Sequence, residues 1–168
     1  MTISRRNVLA LAATAVAASF TTPSFAAQNI VDVSLWDKGQ NSMNKLGQGK
    51  MMGMGMAANM GMAPMGIAAS VSKIPTGEIT FKVKNDSTSF VHEMVLAKVA
   101  DPGKPLPYDK EKERVDEAKA GDLGEVADLG PGQKGALTTT LKPGNYILYC
   151  NIPGHYALGM WTLLTVTG

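Results

Sequence analysis

The chain has 168 residues with 16 basic and 14 acidic side chains, and Arg5 and Arg6 account for its formal charge of +2. That near-cancellation leaves no concentrated basic face of the kind nucleic acid requires. A single cysteine, Cys150, excludes any disulfide within the chain.

Residues 1–26 read as an export signal. Ser4-Arg5-Arg6 precedes an apolar run over 8–20, and Pro23-Ser24-Phe25-Ala26-Ala27 supplies the small residues of a cleavage site, expected after Ala26. The paired arginines fit the twin-arginine route. At 13 residues the apolar run is shorter than the roughly 20 needed to span a bilayer, which argues against an uncleaved anchor. The expected product is a soluble periplasmic protein with no stable membrane insertion. Removing 26 residues from 168 leaves 142, enough for a single domain over 27–168 but not comfortably for two cores.

Beyond the leader the pattern is β-rich. Residues 30–36 (IVDVSLW) alternate apolar and polar, as do 78–83 (EITFKV) after the turn Pro75-Thr76-Gly77. Further strands are expected over 91–99, 134–141, 145–150 and 160–166, with Lys142-Pro143-Gly144 as a tight turn. Short strands separated by turns predict an antiparallel β-sandwich. Residues 108–121 (YDKEKERVDEAKAG) break the rhythm. Lys112 and Asp116 at i, i+4 and Glu111 and Arg114 at i, i+3 predict a short surface helix.

Residues 43–65 form a methionine-, glycine- and alanine-rich insertion holding eight methionines. Thioethers are soft ligands, so Met51, Met52, Met54, Met56, Met60, Met62 and Met65 form a candidate copper(I)-binding set. The competing view is a flexible apolar flap that uses methionine as adaptable filler.

The sharpest motif is Tyr149-Cys150-Asn151-Ile152-Pro153-Gly154-His155-Tyr156-Ala157-Leu158-Gly159-Met160, which spaces Cys, His and Met as C-x4-H-x4-M. A thiolate, an imidazole and a thioether in one loop favour copper once a second imidazole joins them, and His92 is the only other histidine. Zinc accepts cysteine and histidine but rarely a thioether. Pro153-Gly154 bends the loop so that His155 returns toward Cys150. His92 stands near the start of its own strand.

The run YCNIPGHYALGMW resembles the copper loop of cupredoxins, in spacing closest to rusticyanin-type proteins; azurins have one residue fewer before the methionine. Asn85-Asp86-Ser87-Thr88-Ser89-Phe90-Val91-His92 is similar to the family segment in which an asparagine closes a strand before the first histidine. Leu141-Lys142-Pro143-Gly144-Asn145-Tyr146 is similar to the family's Pro-Gly-x-Tyr turn. The resemblance covers about 77–168 and implies an all-β, cupredoxin-like Greek-key β-sandwich. It also implies one type 1 (blue) copper ion held by His92, Cys150 and His155 in a plane, with Met160 axial.

Asn151 is a candidate supporting residue, expected to bond the loop that carries His92. Backbone amides after Cys150, near Ile152 or His155, are expected to donate to its sulfur. The resemblance implies an electron carrier rather than an enzyme, with a redox partner protein docking on an apolar patch near His155. The alternative is a copper-handling or copper-resistance protein that uses its methionines. Two histidines are too few for a multicopper oxidase or nitrite reductase.

Overall fold

The computed structural model describes residues 29–45 and 63–168. The expected export signal and Met51, Met52, Met54, Met56, Met60 and Met62 lie outside the described residues. In chain order the elements are β1 (Asn29–Asp37), a 3-10 turn (Gln40–Lys45), β2 (Met65–Ala69), β3 (Lys73–Pro75), β4 (Gly77–Asn85) and β5 (His92–Val99). They continue with β6 (Tyr108–Asp109), β7 (Arg114–Val115), α1 (Glu117–Ala120), β8 (Asp122–Leu129), β9 (Lys134–Leu141), β10 (Gly144–Tyr149) and β11 (Trp161–Thr167).

Two sheets form the sandwich, in the orders β2-β1-β4-β9 and β3-β11-β10-β5-β8. Alternation explains the first sheet. Val31, Val33 and Leu35 of β1 and Ile79, Phe81 and Val83 of β4 are buried, while the residues between them face outward or lie part-buried. They meet Met94 and Leu96 of β5, Leu148 of β10 and Leu164 of β11 in one core between the sheets. Fully burying a side chain such as Phe81 contributes about 1.5–3 kcal/mol.

Strand β5 is buried at every position but Lys98. Its second face, with Ile147, Tyr149 and Trp161, lies under Leu106, Val115 and Ala120 of the long connection after β5. The connection is therefore a cover. The helix expected within 108–121 shrinks to the single turn α1, capped by the Asp116 side chain and by Gly121 in the left-handed region at φ 75°. Residues 108–115 form the β6–β7 hairpin instead. Lys112 pairs with Asp109 and Asp116 with Lys119, so neither expected helical pair forms.

Most pairings are antiparallel, as the expected sandwich requires, and two are not. β1 runs parallel to β4, and β3 runs parallel to β11. Strands β2, β3 and β8 escape a pattern reading. β2 (MGIAA) is weakly β-forming, β3 is three residues long, and β8 (DLGEVADL) is an edge strand with most positions solvent-facing.

Register places the site. Leu35 of β1 lies opposite Asn85 of β4, so both strands end at one pole. β5 starts there at His92, and β10, antiparallel to β5, finishes there at Tyr149 just before Cys150.

Candidate metal centre

Three of the expected ligands come together at that pole. His92 Nδ1 lies 3.2 Å from His155 Nδ1, and Cys150 Sγ lies 3.4 Å from the same atom. The ligand atoms of His92, Cys150 and His155 all fall within 4.8 Å of one another. Relative exposures of 0 % for His92 and Cys150 and 3 % for His155 make the pocket dry. Bond lengths of about 2.0 Å to imidazole and about 2.3 Å to thiolate are long enough for one ion to bridge the 3.2 Å between the two imidazole nitrogens and the 3.4 Å between His155 and the sulfur. The donor set therefore fits one soft or borderline metal ion.

Met160 is fully buried beside this cluster. Its carbonyl accepts from the Cys150 amide at 3.0 Å, and its own amide donates to the His155 carbonyl at 3.1 Å. These bonds close the loop on itself. Gly154 and Gly159 turn the loop at φ 83° and φ 100°, backbone that side-chain-bearing residues rarely adopt. A Cβ on Gly159 would also stand 2.8 Å from the Ala63 Cβ.

The Cys150 sulfur accepts from the Glu93 amide at 3.5 Å and from the Ile152 amide. The Ile152 donor was expected; the Glu93 donor crosses from β5 and has no local signature. Burial pushes the Cys150 thiol up to about 12 in the metal-free protein, against the pull of those two amides. Glu93 does not ligate: its Oε1 accepts from the Asn151 amide at 2.9 Å, and burial raises its carboxyl to about 7.

Asn151 plays a different part from the one expected. Its side chain accepts from the Val115 amide at 2.6 Å and donates to the Val115 carbonyl at 3.0 Å and to Glu117 at 2.6 Å. It thus pins the covering connection to the metal loop. The loop carrying His92 is held by Asn85, which donates to the Phe90 and Leu129 carbonyls and accepts from the Ser87 amide.

Asp37 is a site residue that sequence reasoning missed. Its Oδ2 lies 2.9 Å from His92 Nε2, and its side chain is 1 % exposed. Burial raises its carboxyl, but hydrogen bonds from Ser87, His92 and the Gly39 amide outweigh that and hold it below the usual carboxylate value. An aspartate at a strand end, 55 positions before its partner, carries no local signal.

The apolar patch expected around His155 is mostly internal. Tyr156, Ala157, Leu158 and Trp161 are all buried, and Pro153 and Val91 are the exposed apolar residues near the loop. Met65 sits in the inter-sheet core that also holds Cys150 and Met160. Its thioether therefore serves packing, and it leaves the expected copper(I) set for that reason. Among the described residues no helix is long and apolar enough to cross a membrane.

A family model described as copper binding proteins of the plastocyanin/azurin family matches residues 54–167. Among solved structures, the chain is similar to reduced rusticyanin, with 16% identity over 85% of this chain and 82% of that chain and a TM-score of 0.52. It is likewise similar to rusticyanin from Thiobacillus ferrooxidans, with 16% identity over 82% and 76% and a TM-score of 0.51. Dithionite-reduced auracyanin from the photosynthetic bacterium Roseiflexus castenholzii shares 23% identity over 85% of this chain and 99% of that chain, with a TM-score of 0.49. No curated protein sequence matches the chain. Two packed sheets, a buried His-Cys-His cluster at one pole and the match over 54–167 lead to one conclusion: the chain belongs to the plastocyanin/azurin family of copper-binding proteins, the cupredoxins.

Proposed function

We propose that this protein is a periplasmic carrier of single electrons. One type 1 copper ion would be held by His92, Cys150 and His155, with Met160 as the expected fourth ligand. The observation that carries the proposal is the convergence of two imidazoles and a thiolate within 4.8 Å in a buried pocket. Copper supplies the one-electron couple. The chain's part is to exclude water, to hold the ligands from one strand and one self-bonded loop, and so to keep reorganisation small when the charge changes. A redox partner would approach over Pro153 and Val91, the exposed apolar residues beside the loop.

The test is spectroscopic and electrochemical. Copper-loaded protein is expected to show an intense thiolate-to-copper visible band and a reversible one-electron wave, with no substrate turned over. A colourless copper complex would sink the proposal.

Copper uptake should depend on pH with a definite sign. Burial pushes the Cys150 thiol up to about 12, while burial and the neighbouring His92 push His155 down to about 4. In the neutral range the metal-free site thus holds a protonated thiol and a neutral His155 imidazole. Binding expels the thiol proton, so copper(II) affinity should rise about tenfold per pH unit. Competition titrations against a chelator of known pH dependence measure that slope.

A second reading, copper handling by the methionine-rich insertion, has one observation in its favour. The described residues on both sides of 46–62 belong to the metal pole. Asp37, shortly before the 3-10 turn, bonds His92, and Ala63 packs against Gly159 next to Met160. Changing Met51, Met52, Met54, Met56, Met60 and Met62 together to leucine separates the readings. Copper(I) equivalents beyond one that vanish in this variant favour handling; one equivalent in both proteins favours the carrier.

A further inference from the structure

Asp37 closes β1 (Asn29–Asp37), and its side chain hydrogen-bonds the expected ligand His92. Both of its oxygens are engaged: Oδ1 accepts from the Gly39 amide at 2.6 Å, and Oδ2 faces His92 Nε2 at 2.9 Å. A carboxylate can only accept, so Nε2 carries the imidazole proton. Nδ1 is then left with its lone pair pointed at His155 and Cys150. The Gly39 turn and the Asp37–Met65 pairing with β2 fix the backbone that holds the carboxylate there.

We propose that Asp37 is a positioning residue for electron transfer: acting through His92, it aims Nδ1 at the metal, makes that nitrogen a stronger donor, favours copper(II) over copper(I) and lowers the reduction potential. A carboxylate behind a metal-bound imidazole polarises the N–H bond and raises ligand basicity. Its negative charge in a dry pocket also stabilises the more highly charged ion more. A neutral acceptor at the same place would hold the ring equally well but would lack this preference for oxidation state. The inference rests on the copper-carrier reading.

Two measurements test it. In copper-free wild-type protein, nitrogen NMR of labelled histidine should find the His92 proton on Nε2; a proton on Nδ1 overturns the assignment. Asp37→Asn should weaken copper(II) binding by about 10–100-fold and copper(I) binding less. Each tenfold difference between the two ions raises the one-electron potential by about 59 mV. Equal losses for both ions, or an unchanged potential, overturn the proposal and leave Asp37 as a structural clamp. Wild-type protein that takes up no copper would defeat the carrier reading instead, while the tautomer measured in the copper-free chain judges Asp37 separately.

Discussion

Cys150→Ser is expected to abolish the intense visible band of the copper-loaded protein and to weaken copper binding by more than about 100-fold, a larger loss than removal of a supporting residue causes. The band arises from charge transfer out of a thiolate, and the chain has a single cysteine. A serine hydroxyl is a hard, weakly acidic donor that does not replace thiolate at a soft site. The change is nearly isosteric in a fully buried position, so the fold should survive and the loss will report on ligation. Visible absorption and EPR of the reconstituted variant, with a chelator competition for affinity, check this. A variant that stays blue would refute Cys150 as the ligand.

Asn85→Ala is expected to cost the metal-free protein about 3 kcal/mol or more. Asn85 is fully buried at the end of β4. Its amide donates to the Phe90 carbonyl at 2.8 Å and the Leu129 carbonyl at 2.7 Å, and its oxygen accepts from the Ser87 amide at 2.9 Å. Alanine leaves three backbone groups without these partners, and each buried unsatisfied group costs about 1–3 kcal/mol. The damage should also reach the metal. Asn85 shapes the loop whose Ser87 hydroxyl bonds Asp37 and whose next strand opens with His92. Copper affinity should therefore fall by about 10–100-fold. Denaturant unfolding of the copper-free variant and a copper competition measure the two effects. A variant as stable as wild type with unchanged affinity would show that Asn85 does not organise the pole.

The methionine-rich insertion shows how composition misleads at its edges. Eight methionines over 43–65 read as one segment, yet Met65 belongs to β2 and Met43 packs against the core. A trial deletion of the whole stretch would remove core side chains along with the insertion. The charged connection misleads in the opposite sense. Its polar surface predicts a solvated helix, whereas Leu106, Val115 and Ala120 close the outer face of the second sheet. Three apolar residues scattered among charges produce no period that a pattern can detect.

The residues themselves determined the strand alternation of β1 and β4, the presence of β9 and β10, the copper-type donor set, and the loop that carries three of its four members. Those features depend on neighbours within a few positions, where spacing and residue type are enough. Tertiary structure alone decided that Asp37 backs His92, that the Glu93 amide meets the Cys150 sulfur, and that Asn151 grips Val115 rather than the loop before His92. Each of those contacts joins groups 36 to 57 positions apart. Such distances are bridged only by strand pairing and register, including the parallel β1–β4 pairing that brings two strand ends to one pole.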